Sequence, residues 1–301
     1  MHGCAVNCRS YGFPQYHVRP VPSHRVKIRG INLLNNFYAI NTDGIDPDSS
    51  RNVIISDSYL EAGDDTIVLK TTNRGGAAGP TENVTVTNCV LVSSSSAIKL
   101  GTESWGDFRH CVFSNCVIRR ARTGIALLAK DGGTMEDLRF QNITMDTEPK
   151  WGKGVSWPVE FDVEKRTEDS KLSHIRDVVL SDITMATKGR VLIEGMPESL
   201  IDTVTMRNVI MRITGYEDVK SAHKNRGSSG RGVKGAVDFG YVPSALIFAN
   251  ARNIDLSDIH VIWPEGPAEE RTGLFTSNVT GLSISNVQGP PSGTVASAGP
   301  R

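Results

Sequence analysis

The stretch VIISDS, residues 53–58, places apolar residues at alternate positions and an aspartate at the fifth. Eight further stretches have apolar residues at their first and third positions, and seven of them have Asn or Asp at the fifth. They begin at Val26, Val84, Cys111, Leu138, Val178, Val204, Ile254 and Leu282. The stretch that begins at Val26 is the weaker match, because it has Gly at the fifth position. A period of two residues is typical of a β-strand with one buried face, not of a helix. The sequence therefore predicts one strand repeated along the chain.

The spacing of these nine phrases indicates the architecture. Their starts are separated by 27, 31, 27, 27, 40, 26, 50 and 28 residues, which is a fixed unit with variable loops. The frame of leucine-rich repeats is missing, and a propeller blade needs about 40 residues for its four strands. We therefore predict an all-β fold, a single-stranded right-handed parallel β-helix (solenoid) of about nine coils, with residues 1–301 forming a single domain.

Stacking of coils assigns a place to several polar and sulfur-containing residues. Equivalent positions of successive coils lie roughly 4.8 Å apart in such a fold. Cys89 and Cys116 share one repeat position, and Asn88 and Asn115 share another. We expect a buried sulfur stack and an asparagine ladder at a turn. A disulfide between the two cysteines is compatible with this arrangement but is not needed.

Composition and charge argue against several kinds of partner. The chain has 33 basic and 33 acidic residues, so its bulk charge indicates neither nucleic acid nor an anionic membrane. No apolar run approaches the roughly 20 residues of a membrane span. The start of the sequence, MHGCAVNCRSYGFPQYH, also lacks the basic residues and apolar stretch of a signal peptide. Cys4 and Cys8 have no second pair at zinc spacing, so we expect no metal and no cofactor.

Two acidic motifs precede neighbouring strands. They are NTDGID, residues 41–46, and the GDD of EAGDDTIVLK, residues 61–70. Asp43 and Asp64 are 21 residues apart, about one coil, so we expect them on the same side of neighbouring coils with Asp65 beside them. The three carboxylates should converge on one patch of the surface.

Crowded carboxylates have a chemical use. Like charges push their pKa values apart, so one carboxyl can stay protonated near working pH while another is ionised. Glycoside hydrolysis needs such a pair, an acid for the leaving oxygen and a carboxylate that activates water or attacks the sugar. The alternative is that Asp43 and Asp64 only cap turns beside Gly44 and Gly63.

The pair of motifs NTDG and GDD resembles the polygalacturonase-like glycoside hydrolases of family 28, and the similarity extends from about His17 to Val287. The resemblance implies a pectin-lyase-type β-helix, a galacturonate-containing pectic polysaccharide or oligosaccharide as substrate, and a secreted or periplasmic location. It also implies that Asp64 is the general acid, while Asp43 and Asp65 hold the water for an inverting displacement. Room for that water calls for about 6.5 to 9.5 Å between acid and base.

The sequence departs from the family at two places. The polygalacturonases of the family carry Gly-His-Gly on the coil after the Asp pair and Arg-x-Lys on the next coil, and these cations hold the substrate carboxylate beside the scissile bond. Here Ser96 occupies the place of the histidine, and Ala126 and Leu128 stand where Arg and Lys would be. Ordinary polygalacturonase activity therefore does not follow from the resemblance alone.

Other residues near the motifs are candidates for holding the substrate. Three lysines nearby offer substitute cations. Lys70 ends the strand after the Asp pair, and Lys99 lies three residues past Ser96 on the same strand. Lys130 lies two residues beyond Leu128 and so faces the same side. Each could bind a uronate or simply lie at the surface. The predicted substrate-binding residues are Asn41, Lys70, Ser96, Lys99 and Lys130.

Two other functions stay open at this stage. A β-helix could bind glycans without catalysis, and a polysaccharide lyase could use acidic residues to hold calcium and an Arg or Lys as base. The basic, glycine-rich stretch at residues 220–235 suits a polyanionic sugar or a plain disordered loop. Because only 40 residues precede Asn41, we also expect a truncated or short family member whose coil around Val26 is frayed or covered by another chain.

Overall fold

The computed structural model describes residues 4–5, 9–11, 18–215, 244–265, 272–289 and 295–298. In these ranges the one helical element is a short 3-10 turn, η1 (Lys150–Gly152). The strands are β1 (Cys4–Ala5), β2 (Arg9–Tyr11), β3 (His24–Arg29), β4 (Asn32–Leu34), β5 (Arg51–Ser56), β6 (Tyr59–Ala62), β7 (Ile67–Thr71), β8 (Thr81–Thr87), β9 (Val90–Ser93), β10 (Ser96–Ser104), β11 (Phe108–Ala121), β12 (Thr123–Ala129), β13 (Thr134–Thr147), β14 (Trp157–Val163), β15 (His174–Thr187), β16 (Val191–Glu194), β17 (Ile201–Ile213), β18 (Ser244–Ile262), β19 (Thr272–Gln288) and β20 (Val295–Ala298). No helix in this part of the chain is long and apolar enough to cross a membrane.

The nine phrases recognised in the sequence form one continuous parallel ladder. The first apolar residue of each phrase pairs with the first apolar residue of the next, so Val26 pairs with Val53 and Ile254 with Leu282. All six intermediate pairings keep the same register. We call this ladder the phrase ladder. The predicted all-β fold, a right-handed parallel β-helix, is confirmed.

Two further ladders complete each coil. The second ladder follows the phrase ladder and runs from Leu33 through Leu60 and the coils after it to Val261. The third, which we call the site ladder, begins with Val18 paired to Ile45 and Ile45 paired to Ile67, and it continues through β10, β12, β14, β16, β18, β19 and β20. The segments that lead from the second ladder into the site ladder are the site turns, and they carry both acidic motifs.

Apolar side chains from all three ladders fill the interior of the coils. Alternation along each phrase turns every second residue inward, and those residues stack on their equivalents in the coils above and below. The rings of Phe113 and Phe140, on adjacent coils, lie parallel with their centroids 5.0 Å apart. One contiguous core therefore extends along the helix axis and holds the ladders in register.

The corner between the phrase ladder and the second ladder is the predicted asparagine ladder. Its residues adopt the left-handed conformation that Asn and Asp tolerate better than most side chains. They are Asp57, Asn88, Asn115, Asn142, Asp182, Asn208, Asp258 and Asn286. Amides bridge neighbouring coils, as where Asn142 Nδ2 donates to Asn115 Oδ1 at 2.7 Å. Beside this corner Cys89 and Cys116 are buried and unbonded to each other, which confirms the sulfur stack without a disulfide.

Two predictions concern the basic stretch and the first coil. The basic stretch at residues 220–235 lies outside the described residues. The coil around Val26 pairs through β3 with β5 on one side and with β1 on the other. Whether that coil frays stays a prediction.

Candidate active site

The three acids of the two motifs meet at the start of the site ladder. One carboxylate oxygen from each of Asp43, Asp64 and Asp65 lies within 4.8 Å of one from each of the others. Gly44 N–H donates to Asp65 O at 2.9 Å, and Ile45 pairs with Ile67. The coil is therefore 22 residues long here, so Asp43 stacks on Asp65 rather than on Asp64. The predicted convergence is present, and the catalytic roles stay predictions.

Two glycines allow the site turns to pass one another. A Cβ at Gly44 would lie 2.4 Å from the carbonyl oxygen of Thr66, and one at Gly63 would lie 2.2 Å from the carbonyl oxygen of Asn36. Real Cβ atoms do not approach backbone oxygens so closely, and therefore any larger residue would push the turns apart. The glycines of NTDG and GDD are needed for this backbone approach.

Side-chain hydrogen bonds fix the loop that carries Asp43. Asn35 Nδ2 donates to the carbonyl oxygens of Thr42 at 3.1 Å and Asp43 at 2.9 Å. Thr42 Oγ1 accepts from Gly63 N–H at 3.1 Å and donates to Ala39 O at 3.0 Å. Both motif segments are thus bonded to each other before any substrate arrives, and the acids are held by buried backbone contacts.

Asp43 shares a lysine with a fourth carboxylate, Asp46. Lys70 Nζ lies 3.1 Å from Asp43 Oδ2 and 2.7 Å from Asp46 Oδ2, and all three side chains are buried. Burial, together with the charges of Asp65 and Asp46, raises the pKa of Asp43 to about 8 in spite of the ammonium group. Burial lowers the pKa of Lys70, but Asp46 and Asp43 outweigh it and the pKa is raised overall. The surroundings of Asp43 therefore favour its protonated form.

Asp65 has the opposite electrostatic environment. Lys99 Nζ lies 2.7 Å from its Oδ2, and the backbone N–H of Ser96 donates to its Oδ1 at 3.1 Å. Burial alone would raise the pKa of Asp65, but the ammonium of Lys99 and these hydrogen bonds lower it. Asp65 is consequently the carboxyl of the cluster that is held ionised, as a general base has to be.

Asp64 is the most accessible of the three acids. Its side chain is half-buried, whereas Asp43 and Asp65 are each 4% exposed. Asp64 Oδ2 accepts a hydrogen bond from the backbone N–H of Asn41 at 3.0 Å. Asn41 itself is in the left-handed conformation, with φ of 54°. Among the three, Asp64 is therefore the carboxyl that a bound sugar reaches most directly.

The predicted substrate-binding lysines differ in their positions. Lys70 and Lys99 lie inside the cluster, where their ammonium groups pair with the acids. Lys130 is 1% exposed and its Nζ lies 2.5 Å from Glu164 Oε2, outside the cluster. Ala126 occupies the position next to Lys99 on the following coil of the site ladder. The roles of these lysines in binding a substrate stay predictions, and two of them have a clear second role in setting the charge of the acids.

The charges around the cluster are unequal. Four carboxylates, of Asp43, Asp46, Asp64 and Asp65, face two ammonium groups. Repulsion among the acids therefore favours the uptake of a proton, and interacting carboxyls titrate as one unit. Three carboxylate oxygens this close are also the kind of ligand that Ca²⁺ or Mg²⁺ takes, which is the arrangement that the lyase alternative requires.

The separation of the acids does not match the expectation for an inverting enzyme. The sequence predicted about 6.5 to 9.5 Å between acid and base, but the nearest oxygens of Asp64 and its two neighbours lie within 4.8 Å. The physical reason is the fold: Asp64 and Asp65 are adjacent in the chain, and Asp43 stacks one strand spacing away. By the general rule the short distance favours retention.

Asp46 and Asn35 were missed by sequence reasoning. Asp46 is fully buried against Lys70, and Asn35 holds the backbone of the NTDG motif. The sequence did contain one signal for Asp46, because in NTDGID it directly follows Ile45, the bridge residue of the site ladder, and a buried aspartate requires a cation. No local sequence pattern indicates the role of Asn35, because its partners, the carbonyl groups of Thr42 and Asp43, come close only when the loop has folded.

Comparisons with known proteins indicate one family. Residues 6–229 match the family described as Glycosyl hydrolases family 28. A probable polygalacturonase of Vitis vinifera is 28% identical over 211 residues, covering 66% of this chain and 42% of that protein. An endo-polygalacturonase of Pectobacterium carotovorum subsp. carotovorum is 28% identical over 174 residues, covering 57% and 40%.

A solved structure has the same fold. The hyperthermoactive exopolygalacturonase of Thermotoga maritima superposes with a TM-score of 0.57 at 22% identity, covering 67% of this chain and 46% of that one. The chain thus spans less than half the length of the curated relatives it matches. From the matched residues, which include both acidic motifs, we conclude that the chain belongs to family 28 of the glycosyl hydrolases.

Proposed function

We propose that the protein hydrolyses an α-linked, galacturonate-containing pectic polysaccharide at the Asp43–Asp64–Asp65 cluster. The observation that carries this proposal is the convergence of the three carboxyls within 4.8 Å in a member of family 28. Two curated relatives are named polygalacturonases, and each is matched over less than half its length. A pectic polymer lies outside the cell, so the location we propose is secreted or periplasmic.

The proposed chemistry divides the work among the three acids. Asp64, the most accessible, donates a proton to the leaving glycosidic oxygen. Asp65, kept ionised by Lys99, takes a proton from the attacking water, which Asp43 helps to position. The proton favoured at Asp43 is shared among the interacting carboxyls of the cluster. The cluster therefore enters the reaction with one protonated carboxyl, the acid, and one ionised carboxylate, the base.

We propose that the displacement inverts the anomeric centre, as the family resemblance implies. In that case the water approaches between Asp43 and Asp65 and the sugar lies beyond Asp64. The short distance among the carboxyls favours retention by the general rule, and the configuration of the first product distinguishes the two courses.

The proposed substrate preference rests on the uncharged residues that stand where polygalacturonases of the family have cations. Ala126 and Leu128 are buried and uncharged, and Ser96 stands where the histidine would be. A uronate beside the scissile bond therefore has fewer cations to contact than in an ordinary polygalacturonase. We propose that Asn41 and the pair Lys70 and Lys99 supply the polar contacts there, and that unbranched polygalacturonate is a poor substrate.

The test is an assay of two signals on a panel of pectic substrates. New reducing ends report hydrolysis, whereas an unsaturated product that absorbs in the ultraviolet reports β-elimination. We expect reducing ends without ultraviolet absorbance, and a loss of at least about 10²-fold in rate for Asp64→Asn, because an amide has no proton to donate. Asp255→Asn, at an exposed position of the phrase ladder, is the matched control.

Other outcomes would identify the alternatives. Ultraviolet absorbance that requires Ca²⁺ would replace the hydrolase by a lyase. Binding without either signal on any substrate would leave a glycan-binding protein. More than about a tenth of the original rate in Asp64→Asn, against the usual 10²-fold effect of such a group, would show that the acid is a different residue.

A further inference from the structure

A cavity of about 460 Å³ opens beside the site turns, separate from the acid cluster. It lies where the loop of residues 35–44 meets the loop of residues 147–156, which belongs to a coil farther along the helix. A volume of this size is in the range of small-molecule sites in proteins. Its aromatic lining residues are Phe37, Tyr38 and Trp151, and its charged ones are Arg120, Asp146, Glu148 and Lys188.

Direct contacts join the two loops and hold the cavity open. Trp151 Nε1 donates to the carbonyl oxygen of Phe37 at 3.1 Å, across 114 residues of sequence. The guanidinium of Arg120, from the site turn of an intervening coil, lies 4.3 Å from the centroid of the Phe37 ring. This is a cation–π contact, and Phe37 is 8% exposed beneath it. These contacts join three coils, and Lys188 and Thr214 add two more coils to the wall of the cavity.

Two large aromatic side chains at the cavity remain in contact with solvent. Tyr38 is 68% exposed and Trp151 is 40% exposed. A folded protein gains nothing in stability from leaving aromatic faces in water, and side chains with one apolar and one polar end are typical of binding surfaces. The C–H face of a pyranose ring is a ligand that such side chains take up by stacking.

The charges of the lining favour an acidic ligand. Arg120 pairs with Glu148 at 3.0 Å, and Asp146 pairs with Arg119. Both carboxylates of the cavity are therefore already neutralised. Lys188 is exposed and, among the described residues, makes no ion pair or hydrogen bond, so its ammonium group is available at the cavity. A second cation, Lys150, lies 5.0 Å from the centroid of the Trp151 ring.

We propose that this cavity binds a hexuronate residue of the polysaccharide, with the sugar ring on Tyr38 and Trp151 and its carboxylate on Lys188. The identity of the ligand rests on the proposed function, whereas the site itself does not use the acid cluster. The loop that supplies Phe37 and Tyr38 also carries Asn41 and Asp43. A uronate held here would compensate for the cations that are missing at Ala126 and Leu128.

The experiment measures binding of trigalacturonate by calorimetry to the Asp64→Asn protein, so that no hydrolysis interferes. We expect two binding events, one at the acid cluster and one at the cavity. Adding Lys188→Gln or Tyr38→Ala should weaken one event about tenfold, the size of losing a hydrogen bond to a charged group. Lys153→Gln, at an exposed lysine of the loop that carries Trp151 but not itself in the lining of the cavity, is the matched control. Galactotriose, which lacks carboxylates, should not bind at the cavity.

Several results would overturn the proposal. They are a single binding event, two events that Lys188→Gln and Tyr38→Ala leave unchanged, or equal binding of galactotriose. The proposed function fails by a different observation, the absence of new reducing ends with the unsubstituted protein. Binding at the cavity without hydrolysis would therefore support the cavity site and contradict the catalytic proposal. Hydrolysis without binding at the cavity would support the catalytic proposal and contradict the cavity site.

Discussion

Replacing Lys99 by Met should show how far the acid cluster depends on its buried cations. The substitution keeps a long side chain and removes the ammonium group that lies 2.7 Å from Asp65 Oδ2. At an effective dielectric constant of about 20, the lost attraction is about 6 kcal/mol. Asp65 would instead take up a proton, which at pH 7 costs about 4 kcal/mol for a carboxyl of ordinary pKa. Because the protein takes the less costly course, the smaller of these two energies, about 4 kcal/mol, is the upper limit on the stability lost.

We therefore expect Lys99→Met to lower the free energy of unfolding by about 3 to 4 kcal/mol at pH 7, near the usual cost of removing one partner of a buried ion pair. The loss should depend on pH. In the unsubstituted protein Lys99 lowers the pKa of Asp65, and the stability that this gives is fully present above the ordinary pKa of a carboxyl and is lost only as the pH falls through the lowered value. In Lys99→Met, burial without the ammonium raises the pKa of Asp65, so the cost of protonating it falls as the pH falls. The difference between the two proteins should thus shrink as the pH falls towards 4.

Urea unfolding at pH 4, 5.5 and 7 measures both effects. The double variant Lys99→Met with Asp65→Asn should recover most of the stability, because neither charge is then left unpaired. Lys27→Met, at an exposed lysine of the phrase ladder, is the control for loss of a surface charge. A loss below about 1 kcal/mol at pH 7, the size of an exposed pair, or a loss that is equal at all three pH values, would refute the assignment of Lys99 as the cation that keeps Asp65 ionised.

Two further predictions concern the frame of the site. Burial alone would raise the pKa of Asp48, but the N–H of Thr72 and two arginines lower it to about 2. Asp48 thus contributes about 2 kcal/mol to the free energy of unfolding above pH 4, and this contribution is lost as the pH falls towards 2. In urea unfolding, the stability of Asp48→Asn should therefore fall less steeply between pH 4 and pH 2 than that of the unsubstituted protein. An equally steep fall in both proteins would contradict this. Gly63→Ala should lower both the melting temperature and any turnover, since its Cβ would meet the carbonyl oxygens of Asn36 and Ala39; a protein of unchanged melting temperature and activity would show that the turns can yield.

The sequence predicted the fold well because the fold is periodic. Each phrase needs only its own alternation to form a strand, and a repeat near 27 residues brings Val26, Val53 and their equivalents into register without any long-range signal. The asparagine corner could be foreseen for the same reason. The basic, glycine-rich stretch at residues 220–235 falls in the longest step between two phrases and lies outside the described residues, so the prediction for it stays a prediction.

The site was predicted only in part, because its chemistry depends on contacts between coils. The meeting of Asp43, Asp64 and Asp65 follows from the coil length, although the register is 22 residues and not 21. Their protonation does not follow, since it is set by which acid Lys70 and Lys99 reach across neighbouring strands. The aromatic cavity was also missed. Its walls come from loops 114 residues apart, and no local pattern connects them.

The most direct measurement is proton NMR of the sugar products during the first minutes of reaction with the α-linked pectic substrate of the panel that gives the most new reducing ends. A hydrolase that inverts the anomeric centre releases the β-anomer first, before mutarotation to the mixture, and this is the result we expect. Early α-anomer would contradict the proposed course and would agree with the short separation of the carboxyls. Olefinic proton signals would establish a lyase, and an unchanged spectrum across the panel of pectic substrates would contradict catalysis at the three-aspartate cluster altogether.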